Sequence, residues 1–230
     1  MATNRIVLIT GANGGLGAFV TKAFLSMGDT VVGTSKSIQA SDFPDARFVA
    51  MASDLTVAAA TEELVERVIK QFQRIDTLVH VMGGFSGGKP IAETDDATWE
   101  RMMNLNLRSA FHIFRAAIPR MRAAGRGRIV AIASRAAVEP AANIAAYAAS
   151  KAALVSLVRT AALENKDFGI TVNAILPGTM NTDANRKADP SADFSGWVPP
   201  ENVADLVVFL SSDAAAQITG AAIPIYGEQA

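Results

Sequence analysis

The chain has 230 residues, half of them hydrophobic, and 21 basic side chains against 22 acidic ones leave a net charge of −1. That balance excludes the electrostatic footprint of a nucleic-acid or anionic-membrane binder, and no apolar run approaches the ~20 residues of a membrane span. With no cysteine, disulfides, thiolate nucleophiles and thiolate metal sites are excluded. The two histidines, His80 and His112, stand far apart without metal-ligand spacing, so no metal is expected.

In chain order, Met1 to Arg5 leads straight into Ile6-Val7-Leu8-Ile9. We therefore expect no signal peptide and a cytoplasmic protein. The Ile6–Ile9 run is of the kind that forms a strand buried on both faces. Thr10-Gly11-Ala12-Asn13-Gly14-Gly15-Leu16-Gly17 follows, then a helical pattern through Phe19, Val20, Ala23, Phe24 and Met27 that ends at Gly28. Strand, glycine turn and helix make the context of a phosphate-binding loop, because glycine lets backbone approach a pyrophosphate and the helix start offers free N–H groups. Taken by itself, such a segment also reads as a flexible turn.

Thr30 to Gly33 and Arg47 to Ala50 read as the second and third strands, Glu62 to Phe72 as an amphipathic helix, and Leu78 to Val81 as the fourth strand. Gly83 to Gly88 reads as a mobile loop. Trp99 to Met121 is one long helix or two joined pieces. Ile129 to Ala133 is a fifth strand, about Ile144 to Leu163 a helix, and Thr171 to Leu176 a sixth strand ending at Pro177. Asn202 to Leu210 is a last helix before a final strand near Ala222 to Tyr226. This alternation predicts an α/β fold: a doubly wound parallel sheet of the Rossmann type, about seven strands with helices on both faces, with residues 1–230 as one dinucleotide-binding and catalytic domain. Ligands in such sheets bind beyond the carboxyl ends of the strands.

Tyr147 and Lys151 stand four residues apart on a predicted helix, so they share a face. An ammonium beside a phenol favours the phenolate and lowers its pKa, which makes the pair a candidate proton donor and acceptor for carbonyl and alcohol chemistry. Alone the spacing arises by chance. Ser134 and Asn106, taken singly, read equally well as hydrogen-bonders at a strand end and on a helix.

Together these residues carry a resemblance. The loop from Thr10 through Gly11 and Gly15 to Gly17, with Tyr147 and Lys151 in the middle of the chain, resembles the short-chain dehydrogenase/reductase family over essentially the whole length. Ser134, thirteen residues before Tyr147, is similar to the family's catalytic serine, and Asn106 to its catalytic asparagine. Asp54 matches the acid that contacts adenine, and Pro177-Gly178-Thr179-Met180-Asn181-Thr182 the loop that closes over the nicotinamide. The resemblance implies hydride transfer between a nicotinamide cofactor and a small carbonyl or alcohol substrate. Tyr147 would act as general acid and base, Ser134 would orient the carbonyl, Lys151 would bind the ribose and lower the Tyr147 pKa, and Asn106 would hold a water toward Lys151. It implies cofactor contacts from Gly11, Asn13, Gly14, Gly15, Leu16, Gly17, Ser35, Lys36, Asp54, Leu55, Gly83, Tyr147, Lys151, Pro177, Gly178, Thr179, Met180 and Thr182. A homotetramer or homodimer built on the long helices is also implied, and the alanine-rich face from Ala145 to Ala153 suits close helix packing.

NAD-dependent enzymes place an acid at the end of strand two. Here Ser35, Lys36 and Ser37 stand there, so NADP(H) is expected over NAD(H), with Lys36 on the 2′-phosphate. Gly14 occupies the place where many NADP-dependent relatives carry a second basic residue, and Lys36 alone also reads as a solvated surface lysine. The family's Asn-Asn-Ala-Gly after strand four is replaced by His80-Val81-Met82-Gly83, so packing or backbone must tie the central strands, and His80 reads as structural. The closing Ile223 to Gly227 also departs from the family's usual ending. Gly83-Gly84-Phe85-Ser86-Gly87-Gly88 and the segment from Leu176 to Trp197 are similar to the quinonoid dihydropteridine reductases. That likeness makes a pterin an alternative substrate. Phe85, Met180, Phe194 and Trp197 are candidates for an apolar substrate wall or for lid core. A non-catalytic dinucleotide sensor is the further alternative.

Overall fold

Seven segments assemble into one wholly parallel sheet: β1 (Ile6–Thr10), β2 (Thr30–Thr34), β3 (Phe48–Ala50), β4 (Thr77–His80), β5 (Gly127–Ile132), β6 (Ile170–Pro177) and β7 (Ala222–Ile225). Their order across the sheet is β3-β2-β1-β4-β5-β6-β7. The structure is a computed structural model that describes residues 4–229; Met1 to Thr3, part of the stretch expected to carry no signal peptide, and Ala230 lie outside the described residues. The strands β1, β4 and β6 are buried along their whole length, which is why their sequences run apolar rather than alternate. No helix of the described residues is long and apolar enough to cross a membrane.

Helices α1 (Gly17–Ser26) and α7 (Pro200–Leu210) cover one face, packing Val20, Phe24, Val203 and Val207 on Val7, Ile9 and Ile175. The other face carries α2 (Ala58–Phe72), α4 (Ser109–Ala124) and α5 (Ala145–Asn165), which pack Leu64, Val68, Ile113, Leu154 and Val158 on Leu8, Leu78 and Ile129. The seven expected strands are present, with ends that differ by a few residues: β4 stops at His80 and β7 at Ile225. The expected long helix is two pieces, α3 (Asp96–Met103) and α4, joined by a π-helical turn over Asn104–Arg108. Such turns insert an extra residue and re-aim a side chain. A short helix not anticipated from the sequence, α6 (Asp183–Ala188), follows β6. Its signal was present: Thr182 caps it by accepting from the Asn185 N–H at 3.3 Å, and Arg186 and Lys187 close its last turn.

Between β1 and β4 the chain reverses its direction of travel across the sheet. The loops after β1 and β4 therefore open a crevice at the carboxyl edge, the place where this architecture binds ligands.

Candidate active site

The glycine loop forms because β1 is followed at once by a backbone conformation that only glycine adopts freely. Gly11 has φ of +67° and turns the chain so that the Gly14 N–H donates to its carbonyl at 3.0 Å. Gly17 opens α1 with its Cα against that same carbonyl group. A Cβ there would overlap the Gly11 oxygen and lie 2.8 Å from the Gly11 carbonyl carbon. No side chain caps the start of α1; the Ala18, Phe19 and Val20 N–H groups donate to the Gly14 and Leu16 carbonyls, so an anion would be met by the N–H groups ahead of them. Gly15 stands exposed on the crown, with the Thr182 methyl 3.6 Å from where its Cβ would be. These residues fit a dinucleotide pyrophosphate. Leu16 is buried behind the loop, and Asn13 is tied sideways, its amide donating to Asp42 at 3.0 Å.

At the centre of the crevice, the π turn aims Asn106 inward, where it is fully buried. Its amide donates to the Gly84 carbonyl at 3.0 Å and to Ser150 Oγ at 2.9 Å, and its oxygen accepts from the Gly84 N–H at 2.8 Å. Ser150 in turn donates to the Tyr147 carbonyl at 2.7 Å. Sequence reasoning passed over Ser150, although it lies inside the Tyr147 to Lys151 run. Both side-chain amide protons of Asn106 are thus engaged, so on the side chain the second lone pair of Oδ1 is what remains for a water. Lys151 is buried and its ammonium donates to the Ile132 carbonyl at 2.8 Å. Gly83 passes so close that a Cβ on it would lie 2.8 Å from Asn106 Oδ1 and 3.2 Å from Lys151 Nζ.

Ser134 follows β5, accepts from the Ala136 N–H at 3.2 Å, and lies beside the Tyr147 phenol. Burial pushes that phenol above its ordinary value, and the neighbouring Ser134 side chain opposes the shift. The lowering expected from Lys151 is not found. The ammonium is turned to the Ile132 carbonyl, and burial brings its own pKa down to about 8. This sets a sign for stability. Unfolded, the lysine titrates near 10.5; below pH 8 both states carry the proton and the full cost of burying the charge stands. As pH rises from about 8 to about 10.5, the folded state sheds its proton first, and stability from this group rises by about 3 kcal/mol. Urea unfolding of wild type and Lys151→Met across that window is expected to show the rise in the wild type alone; parallel curves would contradict it.

The loop expected to be mobile, Gly83 to Gly88, is tethered. Besides the Gly84 bonds to Asn106, the Gly88 N–H donates to the Asn143 carbonyl at 2.8 Å and Arg101 to Ser86 Oγ at 2.7 Å. The Phe85 ring, 66% exposed, lies edge-on to Tyr147 with centroids 5.0 Å apart. Phe194 and Trp197 lie against each other with tilted rings, centroids 4.7 Å apart, and Arg186 lies 5.4 Å from the Phe194 ring centroid. Trp197 is buried and Phe194 half-buried, while Phe85 stands exposed beside Tyr147. Met180 packs partly buried against the core on the α1 side. Pro177 ends β6, and the Gly178 N–H donates to the Ile225 carbonyl at 2.9 Å. The Thr179 carbonyl accepts from the Val198 N–H at 2.9 Å.

Beyond β2, Lys36 and Asp54 form an ion pair at 2.8 Å across the loops that follow β2 and β3. Burial works to raise the Asp54 carboxyl, but hydrogen bonds from Lys36 and Thr56 outweigh it and hold the group below its ordinary value. The Ser35 hydroxyl accepts from the Ser37 N–H at 3.2 Å. The carbonyl of buried Leu55 is bonded to His112 at 3.0 Å. Among the described residues, no cluster of three His, Asp or Glu side chains is arranged for a metal ion.

Comparison with known proteins agrees with this geometry. The family model described as short chain dehydrogenase matches residues 5–193. Short chain dehydrogenase adrF of Penicillium roqueforti is 32% identical over 96% of this chain and 94% of its own. The 3-oxoacyl-[acyl-carrier-protein] reductase FabG of Escherichia coli is 32% identical over 97% and 96%. Among solved structures, a short-chain type dehydrogenase/reductase from Mycobacterium ulcerans superposes with a TM-score of 0.93 at 28% identity, covering 98% of this chain and 90% of that one. ElxO with NADP bound superposes with a TM-score of 0.93 at 26% identity, covering 99% of each chain.

Proposed function

This chain belongs to the short-chain dehydrogenase/reductase family of nicotinamide-dependent oxidoreductases, and from that premise we propose that it reduces a carbonyl to an alcohol with NADP(H) preferred, Tyr147 serving as general acid and base. The observation that carries this reading is the placing of Ser134 beside the Tyr147 phenol, close enough to favour its ionised form, at a crevice where Lys151 and Asn106 are buried together against Gly83.

The cofactor, when bound, supplies the hydride in reduction and accepts it in oxidation. Everything else falls to the chain. Gly11 to Gly17 and Thr182 hold the pyrophosphate, Asp54 with the Leu55 backbone the adenine, Ser35 and Lys36 the 2′-phosphate. Tyr147 and Lys151 hold the nicotinamide ribose, with Gly83 and Pro177 to Met180 around the nicotinamide. Tyr147 gives its phenolic proton to the substrate oxygen, and Ser134, beside the same phenol, orients that oxygen. Lys151, with a pKa of about 8, keeps its charge at neutral pH while it donates to the Ile132 carbonyl at the base of the site. Asn106 and Ser150 fix the start of α5 and so the position of Tyr147. The Escherichia coli relative is named as a reductase of 3-oxoacyl groups, which is the same class of chemistry. The exposed Phe85 ring beside Tyr147 favours a substrate with a flat portion, and a quinonoid dihydropterin is a second candidate for that reason. The protein is proposed to work in the cytoplasm as a homotetramer or homodimer, a reading supported by Phe111 and Leu163, 44% and 72% exposed on the outer faces of α4 and α5.

The test is oxidation of NADPH and NADH by the purified protein against ketones, aldehydes, quinones and a quinonoid dihydropterin. Turnover names the substrate class; tight NADPH binding with no turnover across the panel would favour the sensor. The Lys36 assignment has its own measurement. Lys36 is largely exposed and Asp54 33% exposed, so releasing Lys36 to a phosphate costs about 1 kcal/mol or less. A charge-assisted bond to the 2′-phosphate is worth about 1.5 kcal/mol or more, so a net of about 0.5 kcal/mol or more remains, and Lys36→Ala is expected to weaken NADPH binding at least about twofold and NADH binding little. An unchanged NADPH/NADH ratio would remove Lys36 from the cofactor site.

A further inference from the structure

His80 takes no part in the chemistry proposed above, yet it is fully buried at the carboxyl end of β4, directly beside Thr10 in the register of β1 with β4. Its Nδ1 lies 3.0 Å from Thr10 Oγ1 and its Nε2 3.4 Å from Ser109 Oγ. The partners of those two hydroxyls fix the direction of each bond. Ser109 lies 2.6 Å from the Leu105 carbonyl, which can only accept, so Ser109 spends its proton there and Nε2 of His80 must donate to it. At the other end, the Met82 N–H donates to Thr10 Oγ1 at 3.2 Å, which leaves the Thr10 proton for Nδ1. One continuous chain results, running from the Met82 N–H through Thr10, to which His80 is the acceptor, and from His80 through Ser109 to the Leu105 carbonyl. Burial, with the Lys151 charge adding to it, pushes the imidazole down to about 3, so the ring stays neutral over the working range.

The chain links three segments next to site residues. Thr10 precedes Gly11, Met82 precedes Gly83, and Leu105 precedes Asn106. Gly83 in turn lies against Asn106 and Lys151. We infer that His80 is a positioning residue, a neutral imidazole with its proton on Nε2 that holds the glycine loop, Gly83 and the Asn106 turn in one register. This rests on the active-site reading for its effect on rate, but its hydrogen-bond direction is testable without a substrate.

The chain has only two histidines, and they provide an internal control. His112 Nδ1 faces the Leu55 carbonyl at 3.0 Å, so neutral His112 carries its proton on Nδ1. Proton–nitrogen correlation spectra of 15N-histidine-labelled protein at alkaline pH are expected to show the two rings in opposite tautomers. The Ser109→Ala variant is expected to shift the Gly84 N–H and Asn106 amide resonances. In kinetics, His80→Leu, which keeps neither donor nor acceptor, is expected to lower kcat about 100-fold with substrate KM within about threefold, the scale of a misplaced site group. His80→Gln, which keeps both in one planar group, is expected to recover at least about tenfold of that loss. The inference is overturned by an Nδ1–H tautomer at His80, by a Leu variant with wild-type kcat, or by Leu and Gln variants equal in rate and differing from wild type in melting temperature alone. Should the Leu variant fail to fold, the tautomer and the Ser109→Ala shifts decide. A wild type that turns over no carbonyl but shows the opposite tautomers would count against the active-site reading and leave the hydrogen-bond chain standing.

Discussion

Tyr147→Phe is expected to lower kcat by about 10³-fold, the middle of the range a positioned general acid contributes, while NADPH affinity, losing at most one ribose hydrogen bond, stays within about tenfold of wild type. The substitution removes one oxygen and keeps the ring. The edge-on contact with Phe85 at 5.0 Å therefore survives, and so does the helix backbone that Ser150 holds through the Tyr147 carbonyl. Ser134 loses its phenol partner but continues to accept from the Ala136 N–H, so the stability change should stay within about 1 kcal/mol. Turnover and cofactor binding are thereby separated. Steady-state kinetics with fluorescence titration of NADPH give both numbers on one preparation. A variant within tenfold of the wild-type rate would mean that another group, or water, delivers the proton.

Gly17→Ala should act at the opposite end of the site and by a different route. The added methyl meets the Gly11 carbonyl group and, at 3.0 Å, the Ala12 carbonyl carbon. These are backbone atoms, so no rotamer change relieves the contact, and the loop between them must open. Overpacking of this kind costs about 1–3 kcal/mol, which for a chain of this length is a fall in Tm of several degrees. Because the displaced atoms are the cradle itself, NADPH affinity is expected to drop at least about 100-fold. Gly14→Ala is the matched control: its Cβ would lie 3.2 Å from the Gly11 carbonyl oxygen, with no other heavy atom within 4 Å, and Gly14 is exposed. Its loss of affinity should be smaller than that of Gly17→Ala by at least about tenfold. Equal losses in the two variants would show that the loop tolerates neither methyl and that the crowding at Gly17 is not the cause.

The parts of the molecule legible in the sequence were those written in local pattern. Strands buried on both faces announce themselves as unbroken apolar runs, as Ile6 to Ile9 does, and Tyr147 and Lys151 share a helix face by spacing alone. What escaped was set by tertiary geometry. The π turn at Asn104–Arg108 leaves no compositional mark, so the aim of Asn106 at Ser150 and Gly84 was invisible. The Tyr147 pKa was misjudged because helical spacing says that two side chains share a face, not that the ammonium will turn to the Ile132 carbonyl. Glycine content suggested a mobile loop after β4, whereas hydrogen bonds to Asn106, Asn143 and Arg101, each distant in sequence, hold it. The Lys36–Asp54 pair joins two residues assigned separately to one cofactor, a link that only the adjacency of β2 and β3 reveals.

The place of β1 in the sheet has a consequence for how the chain is made. It leaves the ribosome ahead of every other strand of the sheet, yet it lies in the middle of that sheet with β2 on one flank and β4 on the other. Its first flank is closed once residue 34 has emerged, but the second waits for residues 77–80. During that interval a fully apolar strand presents an unpaired edge, the feature by which nascent chains stick to one another. The nascent polypeptide is therefore most exposed to aggregation, and in greatest need of a chaperone, while the helix between β3 and β4 is being synthesised.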